Sequence, residues 1–184
     1  MNFFSKLIVI ILIVLALIYV KDKFTVNQMP FFNKNDYVEE EISQPIEKTF
    51  IPIYFTNAKD GSIKEVLREL PEHEQTLSFA IYELLKGPNE EEIKSGISSE
   101  LPKSTKLLKI QDQGSIIIVD LSNEFQYGGG TESQYTRLEQ LIKTILAQKP
   151  QKPVYLYING SKAEVIGGEG IIITQPLSES SLNG

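Results

Sequence analysis

Asp120 and Glu124 stand four positions apart with Ser122 between them, at the end of the apolar run IIIVDL. The end of a strand and the loop after it are where active sites collect. A pair of carboxylates there is the minimal acid–base equipment of a glycoside-cleaving hydrolase. The rest of such a machine is missing. The chain has no Cys and a single His, which removes a thiolate nucleophile, a disulfide and any thiolate or His-cluster metal site. No Ser stands in a nucleophile-elbow pattern, and Ser122 has no base in view. His73 lies among Pro71, Glu72 and Glu74, the composition of a solvated loop. Glu90, Glu91 and Glu92 point in different directions on any turn, so they read as solvating residues and not as a converging pair. Gly128-Gly129-Gly130 ahead of a helix start offers a nest of N–H groups for an anion. Against that, Thr131-x-x-Gln134 has the pattern of a capping box, which would occupy those donors. No catalytic, cofactor-binding or metal-binding residue is expected, and the chain is not expected to be an enzyme.

Composition narrows the partners. Lys and Arg total 18 against 24 Asp and Glu, a formal net charge of -6. A surface that neutralises phosphates is not expected from this balance, so nucleic acid is not an expected partner. With 184 residues and 41% hydrophobic content, the chain has room for one globular domain and an appendage.

The appendage comes first. MNFFSKLIVIILIVLALIYVKDK has an unbroken apolar run over residues 7–20, extended by Phe3 and Phe4 past Ser5 and Lys6. A bilayer core needs about 20 helical residues, or about 17 at the short end; the run reaches that limit if Lys6 snorkels outward. A cleavable signal peptide is the rival, but Leu17-Ile18-Tyr19-Val20 lacks the small residues of a cleavage site. Residues 1–23 are therefore expected to be an uncleaved, single-pass anchor in the bacterial cytoplasmic membrane. Lys6, Lys21 and Lys23 give little charge asymmetry, and the bulk of the chain is expected outside the cytoplasm. Residues 24–49 keep no helical or alternating period and read as a flexible tether with an end-to-end distance of about 30 Å; the alternative is that Met29-Pro30-Phe31-Phe32 docks on a partner.

The domain is expected over residues 50–177, with residues 178–184 as a disordered tail. FIPIYFT at its start is dense in β-branched and aromatic residues, and Pro52 points to an edge or a strand start. Residues 63–70 are ambiguous: Ile63, Val66, Leu67 and Leu70 fit a helix, Val66 and Leu70 about Arg68 fit alternation, and periodicity alone leans to helix. Residues 74–86 carry Leu77, Ala80, Ile81, Leu84 and Leu85 on one helical face, stopped by Gly87 and Pro88. A hairpin follows over residues 106–121, turning at Asp112-Gln113-Gly114, with a second strand apolar on both faces and hence central. Tyr135, Leu138, Leu141, Ile142, Ile145 and Leu146 mark a second core helix ending at Lys149-Pro150. Residues 154–158 and 171–173 read as closing strands.

LLKGP, SGISSELP, KLLKI, GSIIIVDLSNEF, LIKTIL and VYLYINGSKAEVIGG, in this order and spacing, resemble the GerMN domain of bacterial sporulation and spore germination proteins. The resemblance runs from Phe50 to Leu177. It implies a small α+β fold outside the cytoplasmic membrane, similar to the ring-building modules of sporulation channels, with assembly as its inferred work and no established catalytic residues. It also implies a strand over residues 63–70, and it makes Gly87, Pro88, Pro102, Asp120 and Ser122 fold-defining turns and a strand-exit cap. The best-known members carry two copies and a lipid-bearing Cys; this chain has one copy, no Cys and an apolar leader.

The resulting expectation is an α+β fold, a small mixed sheet of about five to six strands with two helices packed on it in the order ββαββαββ, plus the N-terminal transmembrane helix. Its expected work is assembly, or protein interaction in the envelope, during sporulation or germination. The expected partners are envelope proteins and further copies of itself as an oligomer, with the membrane reached through the N-terminal helix. Peptidoglycan binding is the alternative, and a cell-wall hydrolase a more distant one.

Overall fold

The first two strands are joined by a tight turn in which Asp60 accepts the Ser62 N–H and Gly61 takes a left-handed φ of 71°. Strand β1 (Phe50–Asn57) pairs antiparallel with β2 (Ile63–Glu69) from Phe50↔Glu69 to Thr56↔Ile63. In the computed structural model, residues 48–178 and the single position Leu15 are described. The expected membrane helix and the tether up to residue 47 lie outside the described residues, as do residues 179–184. Among the described residues no helix is long and apolar enough to cross a membrane.

The strand that the family resemblance implied over residues 63–70 is present, and the helix that periodicity favoured is not. Its apolar positions serve two faces of a sheet. Val66 and Arg68 stand opposite Ile53 and Ile51 on the inner side, whereas Leu67 is 56% exposed. Helix α1 (Thr76–Lys86) follows and buries Leu77, Ala80, Ile81 and Leu84. Gly87, at φ 86°, donates its N–H to the carbonyls of Glu83 and Leu84 and ends the helix as its sequence required. Asn89 and Glu92 then form a reciprocal capping box on the short helix α2 (Glu90–Lys94). Strand β3 (Ile97–Ser98) returns to pair with the end of β1.

A second sheet contains the expected hairpin, β4 (Leu107–Asp112) and β5 (Ile117–Leu121), with Gly114 at φ 80° in the turn. Helix α3 (Thr131–Gln148) then carries the chain over to β6 (Val154–Ile158), which runs parallel to β5. The β7 strand (Ser161–Lys162) closes this sheet through the Asn159-Gly160 turn, and β8 (Val165–Ile166) with β9 (Ile171–Ile172) forms a separate hairpin. Strand β5 is central, with a parallel and an antiparallel neighbour, and Ile117, Val119 and Leu121 on it are fully buried.

The fold is therefore mixed α+β, but the single sheet of about five to six strands expected from sequence is corrected. The strands divide into sheets of order β2-β1-β3, β4-β5-β6-β7 and β8-β9, and the element order is ββααβββαββββ. The physical reason is that β3 covers β1 only at Thr56 and Asn57. The remaining edge of β1 meets helix α3, whose side chains take the hydrogen bonds another strand would have made. One core joins these layers: Ile53 and Phe55 of β1, Ile81 and Leu84 of α1, Leu141, Ile142 and Ile145 of α3, and Leu156 of β6 are all 0% exposed. Each such side chain contributes about 1.5–3 kcal/mol of apolar burial.

Candidate functional site

Asp120 and Ser122, two of the residues with the chemistry of a hydrolase, are engaged by the chain's own backbone. Asp120 is buried and uses Oδ1 to accept the Gly160 N–H at 3.0 Å, tying the exit of β5 to the β6–β7 turn. The Ser122 hydroxyl accepts the Lys106 N–H at 2.9 Å and holds the two ends of the β4–β5 hairpin together. Glu124 lies in the 3-10 turn Asn123–Gln126, where hydrogen bonding from Ser122 is the leading cause that lowers its pKa. Asp120 and Ser122 are thus a strand-exit clamp, as the resemblance implied. His73 is exposed, in a left-handed conformation at φ 70°. Among the described residues no group of three or more His, Asp or Glu side chains converges on a metal position.

The acidic run of α2 corrects the solvating role read from sequence. Glu90 and Glu91 are exposed, but Glu92 faces inward and forms a two-pronged ion pair with Arg68 of β2, with Nη2 to Oε2 at 2.7 Å. Arg68 Nε also donates to Glu83 of α1 at 3.1 Å. One guanidinium therefore joins β2, α1 and α2. The arginine's hydrogen bond leads the causes that lower the Glu92 pKa.

The glycine run departs further from expectation. The Thr131–Gln134 capping box does not form: Gly130 is the N-cap residue, without a side-chain cap bond, and Thr131 Oγ1 donates to Glu169 instead. The loop that leads into the helix is tied down from behind. Its carbonyls turn inward onto Arg137, which is only 2% exposed. That guanidinium donates to the carbonyls of Glu100 at 3.0 Å, Tyr127 at 3.3 Å and Gly128 at 3.1 Å, to the carbonyl of Phe125, and to Gln134 Oε1 at 3.2 Å. Gln134 Nε2 adds bonds to the carbonyls of Gln126 and Gly128. Desolvation leads the causes that lower the Arg137 pKa, and the guanidinium survives burial because its donors are met by carbonyl oxygens.

Arg137 belongs to a polar stripe along α3 that the sequence reading passed over in favour of the apolar one. Gln134, Arg137, Gln140 and Thr144 are each at most 3% exposed. Gln140 donates to the Tyr54 carbonyl at 3.2 Å and accepts the Glu100 N–H at 2.9 Å. Thr144 accepts the Tyr54 N–H, and Gln148 donates to the Pro52 carbonyl at 2.9 Å. Pro52 has no N–H to lose on this edge. The signal was present in the sequence: these side chains recur at helical spacing, as regularly as Leu138, Leu141 and Ile145.

One of the open cavities is largely apolar in its lining. A half-open groove of about 450 Å³ lies between the end of α1, α2 and β3, with Leu85, Ile93, Ile97 and Leu101 along it and Lys86 and Lys103 at its sides. Ile93 is 57% exposed there. The LLKGP…SGISSELP stretch builds this groove.

An antiparallel three-stranded sheet and a β-α-β unit, sharing one helix that is apolar on one side and polar on the other, define a small α+β module. The Germane family model, described as sporulation and spore germination, matches residues 52–164, and the chain belongs to this family. Among solved structures, the first GerMN domain of the sporulation protein GerM from Bacillus subtilis is similar at 26% identity and a TM-score of 0.59, over 72% of this chain and 98% of that one. The tandem GerMN domains of the same protein match at 25% identity and a TM-score of 0.59, over 71% of this chain. The chain spans 46% of that tandem structure. No protein of curated function matches the chain in sequence.

Proposed function

We propose that this chain is a non-catalytic assembly module of the bacterial envelope, working in sporulation or spore germination. Residues 1–23 hold it in the cytoplasmic membrane as a single-pass anchor, residues 24–49 are its tether, and residues 50–177 act on the outer side. The observation that carries the reading is the contrast between inside and outside. Buried Asp120, Gln134, Arg137, Gln140 and Thr144 are engaged by this chain's own backbone, while Phe50, Leu67, Ile93 and Ile172 stand more than half exposed. Ile93 opens onto the apolar groove of Leu85, Ile97 and Leu101, and a contiguous apolar surface of this kind is what a protein-interaction module presents.

Sedimentation of the purified full chain in mild detergent, with affinity capture from cross-linked envelopes, tests this reading. Self-association or a reproducible envelope partner is expected; a strict monomer with no partner overturns it. Co-sedimentation with purified wall sacculi alone would favour the peptidoglycan-binding alternative. Protease treatment of intact spheroplasts tests the topology, and a C-terminal portion left uncut would exclude the outer location.

A further inference from the structure

The β8–β9 hairpin is a two-stranded element with one buried and one open face. Its pair Ile166↔Ile171 is 0% and 8% exposed, and its pair Val165↔Ile172 is 47% and 79% exposed. Ile172 and Val165 therefore form an apolar knob. Glu164 and Glu169 flank it, both on exposed positions. The hairpin is held in place from behind: Gly167 lies against Gln134, where an added Cβ would come within 3.2 Å of its side chain, and Thr131 bonds Glu169.

The groove of about 450 Å³ beside α2 has the opposite character. Leu85, Ile93, Ile97 and Leu101 give it an apolar lining, and Lys86 and Lys103 put positive charge at its sides. Lys103 is exposed, and Lys86 shares its charge with Glu83 at 3.0 Å. With Lys86 paired to Glu83 and Glu169 bonded by Thr131, the apolar knob beside exposed Glu164 and the apolar groove beside exposed Lys103 match in both polarity and charge.

Resting on the assembly reading above, we infer that the Val165–Ile172 knob of one copy seats in the Ile93 groove of a second copy of this chain. The contact joins two different surfaces, so it is head-to-tail and extends into rings or filaments and not into a closed two-fold dimer. A two-residue knob falls well short of the about 800 Å² per partner of a standard stable interface. The contact is accordingly weak in dilute solution and is populated when copies are concentrated in one plane.

The chain has no Cys, so paired cysteine substitutions report on this contact alone. Full chains carrying Ile172→Cys and Ile93→Cys, mixed at high concentration in mild detergent and oxidised, are expected to give about fivefold more cross-linked dimer than either chain alone or than Ile172→Cys mixed with Tyr82→Cys. Glu164→Lys should lower that yield about fivefold, and adding Lys103→Glu on the partner chain should restore it. Equal cross-linking to Tyr82→Cys, or no restoration by the charge swap, overturns the inference. If the unsubstituted chain self-associates but this pair does not cross-link, this contact is wrong while the assembly reading stands. A chain that neither associates nor captures an envelope partner overturns both.

Discussion

Thr144 Oγ1 accepts the backbone N–H of Tyr54 at 3.1 Å, across 90 positions of sequence. With Gln140 one turn before it and Gln148 one turn after, it closes an edge of β1 that no strand covers beyond Thr56. A sheet edge left open is a pairing surface for other chains, and here a helix takes that role away. Thr144→Val keeps the shape and orphans the Tyr54 N–H, so a loss of about 1–3 kcal/mol is expected in urea denaturation of the full chain. A change within error would mean that water replaces the hydroxyl.

Arg137 should not be replaceable by Lys. Its donors meet carbonyls from Glu100, Tyr127 and Gly128 in different directions, and a single ammonium group cannot reach them all. Arg137→Lys is expected to cost about 3–5 kcal/mol, as for other uncompensated buried charges, read as a fall in the thermal midpoint. A Lys variant as stable as the parent would refute the cage.

Two neighbouring glycines should differ in their tolerance of Ala. Both Gly128 and Gly129 have left-handed φ, 73° and 71°, which costs a substituted residue about 1–2 kcal/mol. An added Cβ at Gly128 meets nothing within 4 Å, but at Gly129 it lies 2.5 Å from Ser133 Cβ and also strikes Ser133 Oγ. Gly129→Ala should therefore be the more destabilising of the two in thermal melts, with part of the difference recovered by Ser133→Gly. Equal effects would remove the close approach.

The Arg68–Glu92 pair gives stability a defined pH dependence. The Glu92 pKa is lowered in the folded chain, with the Arg68 hydrogen bond the leading cause. A depressed carboxylate stabilises the fold above its unfolded value of about 4.3, and this contribution is lost as the pH falls through the folded value. Glu92→Gln is expected to lower stability at pH 7 and to flatten the decline below about pH 4.3. An unchanged slope on acid titration of the unfolding midpoint would exclude this linkage.

The local features were legible because their causes are local. Gly87 and Pro88 stop α1 since one supplies positive φ and the other lacks an N–H; Gly114 turns the hairpin; and the apolar faces of residues 117–121 and of α3 mark a central strand and a core helix. Asp120 and Ser122 were rightly placed at a strand exit, though their partners Gly160 and Lys106 lie too far along the chain to be read from it. Residues 63–70 show the limit of periodicity. Ile63, Val66, Leu67 and Leu70 fit a helix on paper, and pairing with β1 made them a strand.

Tertiary structure alone decided the polar half of the architecture. The sequence spaces Gln134, Arg137, Gln140 and Thr144 three or four positions apart, but whether such residues face water or a carbonyl depends on which loop is folded over them. The same holds for Glu92, which leaves its acidic neighbours in solvent and turns to Arg68, and for the sheet, divided where α3 side chains cover the β1 edge. Composition and local spacing determined most of the elements, residues 63–70 excepted, because backbone preference and apolar period act over a few residues. Long-range hydrogen bonding fixed how those elements meet, because a buried polar group must find its partner wherever the chain has brought one.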